Sequence, residues 1–415
     1  MKKLLAAIKS GHPGSLFSAF LYFDVSFMIW VILGPLAVYI SSDLRLSATQ
    51  KGLMVAIPIL GGAILRVPMG MLTDWIGPKK TGLIGLAITT IPLMWGWLSA
   101  QDLSQVMMLG LLLGVAGASF AVALPLASRW YPVEHQGVAL GIAGAGNSGT
   151  VLAALFAPRL AEVIGWHNVL GFALIPILLT SVIFMRFAKD GPIKIRSQSW
   201  KSYLLILREP DVWWFNLFYG FTFGGFVGLA SFLVIFFHEQ YDLSRVVSGN
   251  FAAVSVFAGS FIRPVGGYLA DRWGGAKILM AVYAFAGVLL FCVGFLPPLA
   301  WVAPFIFLGM MFLGMGNGAV FQLVPNRFGD KIGLVTGVVG AAGGMGGFMV
   351  PVLMGLSHDL TGSYAAGFFM VGMAMSLAFL LLSFVYYRFW QHTWLMKLRP
   401  LPHPVSARPA AQPFS

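Results

Sequence analysis

Twelve stretches of this chain, each about 20 residues long and mostly apolar, constrain every fold it can adopt. They lie near 15–40, 50–73, 81–99, 103–127, 137–157 and 166–187, then 212–237, 246–270, 277–296, 299–324, 333–356 and 364–387. Inside hydrocarbon every backbone N–H and C=O must be satisfied within the segment, so runs of this length are expected to be membrane-crossing helices. The composition agrees. Of 415 residues 58% are hydrophobic and only 10% are charged, against about 25% charged in soluble domains. A soluble multidomain enzyme is excluded on that ground. Lys2 and Lys3 precede Leu4–Ile8, an apolar core too short for a signal peptide and followed by no small-residue cleavage site. The first helix is therefore expected to be retained. The single cysteine, Cys292, rules out an internal disulfide framework. No His or Cys spacing suits a metal, and no cofactor is expected.

The formal net charge of +12 invites a nucleic-acid reading, which depends on where the charges lie. Twenty of the 26 Lys and Arg residues fall in alternate loops and the two tails. Four (Arg45, Lys51, Arg159 and Arg245) fall in the opposite loops, and Arg66 and Arg263 fall inside runs. The positive-inside rule then places both termini of a multi-pass membrane protein in the cytoplasm. The basic balance expresses topology. The lipid bilayer is the expected partner, and no nucleic acid is expected.

The longest polar stretch, Lys189–Asp211, divides the runs six to six. The expected organisation is a cytosolic segment 1–14, a six-helix bundle 15–187, a cytosolic linker 188–211, a second bundle 212–388 and a proline-rich cytosolic tail 389–415. The halves repeat. Gly70-Met-Leu-Thr-Asp74-Trp-Ile-Gly77-Pro-Lys79-Lys80 returns 197 residues later as Gly267-Tyr-Leu-Ala-Asp271-Arg-Trp-Gly274-Gly-Ala-Lys277. The same shift carries Tyr22 to Tyr219, Gly62 to Gly259 and Arg66 to Arg263. Two parallel six-helix repeats describe an all-α membrane protein of the major facilitator fold, twelve transmembrane helices in two pseudo-symmetric bundles. The two loops resemble that superfamily's signature between its second and third helices. Their turn glycines and capping carboxylates make Asp74 and Asp271 candidate gating residues.

An arginine at the centre of a membrane helix costs ~2.5–3.5 kcal/mol on insertion scales and usually finds a carboxylate or a watery cavity. Only Asp24, in the first run, lies well inside the membrane among the acidic residues. Two guanidinium groups against one carboxylate leave the interior net positive, and an anion arriving as substrate supplies the missing charge. The alternative pairs Arg66 with Asp24 and sends Arg263 to the interface. Guanidinium stays charged and offers planar, paired donors to trigonal oxyanions. Gly62 and Gly259, one turn before each arginine, are expected to leave room for a small cavity. Tyr22, Tyr219 and nearby phenylalanines are candidates to close it. The fifth and eleventh runs are rich in glycine: Gly141, Gly144, Gly146 and Gly149, then Gly340, Gly343 and Gly346. In membranes such stripes give smooth faces for close, sliding contact. Asn147 is the polar exception, placed either to donate to a bound oxyanion or to bond a neighbouring helix.

Together these residues resemble the nitrate/nitrite porter family of the major facilitator superfamily. The resemblance is carried by Ala143-Gly-Ala-Gly-Asn147-Ser-Gly149-Thr150 and Gly337–Phe348, similar to the family's two signatures, and by Arg66 and Arg263. Tyr219-Gly-Phe-Thr-Phe-Gly-Gly-Phe226 and Phe23–Trp30 extend it over about residues 15–388. The resemblance implies that Arg66 and Arg263 clamp nitrate or nitrite, that Asn147 and Tyr219 add hydrogen bonds, and that the glycine helices slide as the halves rock. Gly344 stands where a second asparagine would match Asn147, so the half-sites are unequal. The expected function is alternating-access transport of nitrate and nitrite by a monomer, through proton-coupled uptake or nitrate/nitrite exchange. Asp24 is the candidate proton carrier. A carrier of another small anion, such as a carboxylate, and a non-transporting anion receptor are the alternatives. No Walker loop and no catalytic constellation supports an enzyme.

Overall fold

The computed structural model describes residues 8–192, 200–328 and 332–397. The proline-rich stretch 399–415 lies outside them. Twelve helices are long and apolar enough to span a bilayer. They are α1 (Pro13–Leu44), α2 (Ala48–Ile76), α3 (Pro78–Leu98), α4 (Leu103–Ser128), α5 (Val138–Ile164) and α6 (Trp166–Phe187), followed by α7 (Pro210–Tyr241), α8 (Arg245–Trp273), α9 (Gly275–Val293), α10 (Leu299–Phe328), α11 (Gly333–Thr361) and α12 (Ala365–His392). Each corresponds to one of the twelve apolar runs. A short helix, Trp200–Ile206, lies in the linker. The end of α12 is packed against the rest of the chain: Trp390 is buried and donates its indole N–H to Asp211 at 2.8 Å.

The 197-residue repeat reappears in the backbone. Ser47 caps α2 by accepting from the Gln50 N–H, and Ser244 caps α8 by accepting from the Val247 N–H. The positive φ values of Gly77 and Gly165 recur at Gly274 and Gly362, and that of Arg45 recurs at Asp242. At the inter-helix turns after α2 and α8 the left-handed conformation is open to glycine without strain, which accounts for the glycine in both signature loops.

The regularity stops inside the membrane. α1 breaks at Val31–Ile32 and α4 at Ala118–Ser119, while α8 breaks at Ile262, just before Arg263 and Pro264. In α5 the helix tightens into a 3-10 turn over Ala145–Ser148. The continuous glycine ridge expected along the fifth run is therefore interrupted within its signature. α2, α7, α10 and α11 run through without interruption.

Large apolar side chains of α3, α6, α9 and α12 face outward, among them Ile91, Val182, Val288 and Leu380. Across the two halves α2 packs on α11 and α5 on α8. On the face opposite the Gly77 loop, polar contacts join the halves. Asp359, at the end of α11, accepts from Ser47 Oγ and from the N–H groups of Ala48 and Thr49 at 2.8–3.0 Å. Lys51 pairs with Glu239 at 2.5 Å, and Glu239 also accepts from the Tyr364 hydroxyl. Arg159 donates to Asn250 at 2.6 Å. On the Gly77 face the ion pairs stay within a half, Arg129 with Asp74 and Arg327 with Asp211. There the halves are bridged by an apolar cluster of Tyr203 from the linker helix, Met71 and Leu334. Burial, with Asp74 close by, pushes the Tyr203 hydroxyl up to about 12, so it stays neutral in this contact.

Asp359 therefore acts as an N-cap supplied from the other half of the protein. Removing such a cap costs about 1 kcal/mol, roughly a fivefold change in a conformational population. Asp359→Ala is expected to loosen this face. A cysteine at Ala48 in a Cys292→Ser background should then react several-fold faster with a membrane-impermeant thiol reagent added on that side. Unchanged labelling would show that the cap does not hold the seam.

Candidate functional site

Arg66 lies in the middle of α2 and is 2% exposed. Its guanidinium reaches two backbone carbonyls. Nη1 donates to Gly340 on α11 and Nη2 donates to Gly117 at 3.1 Å. Gly117 is the last residue before the break in α4, where the helix no longer uses every carbonyl. Nε has no hydrogen-bond partner among the described residues. The flat cation also lies over the rings of Phe120 and Phe223, 5.6 and 5.5 Å from their centroids. It is held in place without being neutralised.

Arg263 opens the second segment of α8, with Pro264 behind it at a position where a helix tolerates proline. It donates to the Tyr219 hydroxyl at 3.3 Å and lies over Phe321 at 5.6 Å. Tyr219, 2% exposed, stacks on Phe223 at 5.1 Å and meets Phe321 edge-on at 4.9 Å. Phe120 and Phe321 are 6.0 Å apart. The two cations, one from each half, thus share a box of four aromatic rings.

Neither arginine forms an ion pair among the described residues. Asp24 does not pair with Arg66; its carboxylate accepts from Ser148 Oγ at 2.6 Å. Asn147 sits in the 3-10 turn of α5, 3% exposed, and its amide donates across the seam to Ser260 Oγ at 3.3 Å. Ser260 is one turn before Arg263. The Asn147 amide oxygen is buried without a partner among the described residues.

The structure thus brings Arg66, Arg263 and Tyr219 to one place and sets Asn147 beside the α8 break. It treats the glycines unequally. Gly340 lies against Arg66, Gly343 against the Tyr219 ring and Gly346 against the Gly220 carbonyl, while Gly146 and Gly149 lie against the backbone at Asp24. A Cβ on Gly141 or Gly144 would meet nothing within 4 Å among the described residues, so these two mediate no close approach to them in this conformation. Gly62 and Gly259 leave no cavity, because the Trp30 indole and the Phe226 ring occupy the space beside them. Tyr22 does not join the site. It packs on Phe184 of α6, 5.1 Å between centroids. Asp74 is engaged by Arg129, whereas Asp271 is exposed.

Phe120, Phe223, Phe321 and Ser260 were not singled out from the sequence. A signal for two of them exists: Gly117-Ala-Ser-Phe120 recurs as Gly318-Ala-Val-Phe321 at a shift of 201, one helical turn away from the 197 of the other repeats.

Residues 17–351 match the family model described as Major Facilitator Superfamily. A "Nitrite extrusion protein" of Bacillus subtilis (strain 168) is 31% identical over 365 residues, 87% of this chain and 91% of that protein. A "Probable nitrate transporter NarT" of Staphylococcus haemolyticus is 31% identical over 87% of this chain and 94% of its own. A "Probable nitrate/nitrite transporter NarK2" of Mycobacterium tuberculosis (strain ATCC 25618 / H37Rv) is 34% identical over 81% of this chain and 86% of its own. Among solved structures, a bacterial homolog of the human lysosomal transporter Spinster superimposes with a TM-score of 0.68 at 18% identity, covering 90% of this chain and 95% of that one. That last likeness concerns the fold alone.

Proposed function

Because the chain belongs to the nitrate/nitrite porter family of the Major Facilitator Superfamily, we propose that it carries nitrate and nitrite across the bacterial inner membrane by alternating access. The observation that carries this reading is the aromatic box, which holds two guanidinium groups and, among the described residues, no carboxylate paired with them. A small planar anion fits it on three counts. It supplies the missing charge, it accepts in-plane from guanidinium N–H groups, and its faces can lie on aromatic rings. Tyr219 and the Asn147 amide add hydrogen-bond donors at the edge. Both termini face the cytoplasm on the charge distribution, and one chain contains the whole site. Asp74 and Asp271 act in gating: the Asp74–Arg129 pair braces the cytosolic end of one half and Asp271 is free to be engaged in another state.

The outer face is the one sealed by cross-half hydrogen bonds, so this conformation is closed to the outside. A membrane potential negative inside opposes nitrate entry by ~2.3 kcal/mol per 100 mV, and accumulation requires coupling. Exchange for internal nitrite meets that need without a titrating group. It is favoured by the engagement of Asp24 with Ser148 and by the absence of an ion pair from Asp24 to either arginine. In the cotransport reading Asp24 carries a proton.

In proteoliposomes, excess nitrite should block labelled nitrate uptake, whereas formate and oxalate should not. The reverse pattern would assign the site to a carboxylate. Counterflow of labelled nitrate against internal nitrite should proceed at full rate after the proton gradient is collapsed. Binding without any flux would make the protein a receptor.

A further inference from the structure

We propose that Asp24 is a positioning residue for Asn147: it fixes the 3-10 turn of α5 against α1 and thereby sets the amide that faces the anion site. The proposal rests on the reading above, in which Asn147 contacts the anion. It concerns a buried carboxylate that the clamp itself does not use.

Three observations meet at this residue. First, Asp24 holds the residue that follows Asn147: Ser148 Oγ donates to its carboxylate at 2.6 Å. A 3-10 turn has poorer hydrogen-bond geometry than α-helix and occurs in short pieces. The charged acceptor ties the end of this turn to α1. Second, the glycines on either side of Asn147 close onto the α1 backbone around Asp24. A Cβ on Gly146 would lie 2.8 Å from the Asp24 amide nitrogen, and one on Gly149 would collide with the Asp24 carbonyl oxygen. The turn is docked on α1 before and after Asn147. Third, Asn147 itself reaches the other way. Its amide bonds Ser260 on α8, one turn from Arg263, and its oxygen is left unpartnered in a buried place. A side chain with one weak cross-half contact has its direction set by the backbone that carries it, and Asp24 holds that backbone.

A carboxylate is expensive at this depth, and Asp24 is 7% exposed with no ion pair among the described residues. Asparagine would keep an acceptor for Ser148 and lose the charge that strengthens the bond. Alanine would lose the acceptor altogether.

The test is transport kinetics of the full chain in proteoliposomes, with nitrate as the probe. Wild-type flux comes first: no nitrate transport at all would sink the anion reading itself, before any Asp24 variant is compared. Given flux, Asp24→Ala should raise KM for nitrate roughly tenfold with Vmax changed less than about twofold, while Asp24→Asn should raise KM only about threefold. Ser148→Ala, which leaves the carboxylate in place, should reproduce part of the KM rise and covers the case in which Asp24→Ala fails to reach the membrane. Asn147→Ala should raise KM as much as Asp24→Ala does, and the double variant should be no worse than either single one. Independent, multiplying effects would overturn the proposal. So would an unchanged KM in Asp24→Ala or Ser148→Ala, which would reduce the contact to packing. Asp24→Asn with unchanged KM and a flattened pH profile would also overturn it and make the residue a proton carrier.

Discussion

Lysine in place of Arg66 or Arg263 will reduce nitrate uptake in proteoliposomes by two orders of magnitude or more, with the charge of the site unchanged. The reason lies in geometry. Arg66 uses Nη1 and Nη2 to span the carbonyls of Gly340 and Gly117 while its plane rests on Phe120 and Phe223. An ammonium is a compact point charge that cannot span both carbonyls or lie flat on two rings. One buried carbonyl would lose its donor, a penalty of about 1–3 kcal/mol, before any anion is considered. The paired, in-plane donors that suit a trigonal anion would go with it. Arg263→Lys should be the cleaner experiment. Arg263 is only half-buried, its one hydrogen-bond partner among the described residues is the Tyr219 hydroxyl, and its loss strands no carbonyl among them. Arg263→Lys should therefore reach the membrane at wild-type levels and fail in transport, whereas Arg66→Lys should also lower thermal stability. High-affinity uptake by either variant would refute the two-arginine clamp.

Those two arginines were visible in the sequence because a cation inside an apolar run is rare and because one shift of 197 residues joins them. The same shift joins Tyr22 to Tyr219, yet only Tyr219 reaches the site. A repeat places residues on equivalent helices; which neighbour each one meets depends on the packing around it, and α6 covers Tyr22. The aromatic box was hidden for a related reason. Phe120 and Phe321 hold equivalent arginines at equal distances of 5.6 Å, but their sequences align at 201 and not at 197. One extra turn separates Arg263 from Phe321 relative to Arg66 and Phe120, so a search at a single period passes over them. The helix breaks were illegible for a physical reason. α11 contains more glycines than α5 and stays helical throughout, while α5 turns into 3-10 over Ala145–Ser148. Glycine permits a break without specifying one. What specifies it here is an outside partner, the Asp24 carboxylate, which belongs to another helix. Gly62 and Gly259 teach the same point, since the room they leave is filled by Trp30 and Phe226 rather than by solvent or substrate.

The second large effect separates the signature glycines from one another. Alanine at Gly149 or Gly346 should abolish transport, whereas alanine at Gly141 or Gly144 should leave folding and membrane insertion intact. A methyl group on Gly149 would run into the Asp24 carbonyl, and one on Gly346 into the Gly220 carbonyl. Both neighbours are backbone, so relief requires whole helices to move apart. Overpacking of this kind costs about 1–3 kcal/mol or more, and on the proposed rocking mechanism it blocks the sliding of these faces as well. Around Gly141 and Gly144 a methyl group would find open space within 4 Å. Two measurements distinguish the pairs: thermal stability in detergent and initial nitrate uptake. Gly149→Ala and Gly346→Ala should fall in both. Gly141→Ala and Gly144→Ala should hold wild-type stability in this conformation, so any loss of uptake they show must come from the opposite state. On the alternating-access proposal, the ends of α5 and its neighbours near the Gly77 loop close in that state, and the space now free beside these two glycines would be used. Retained transport in all four variants would remove the sliding-glycine mechanism. Loss confined to Gly149 and Gly346 would restrict it to the contacts already formed here.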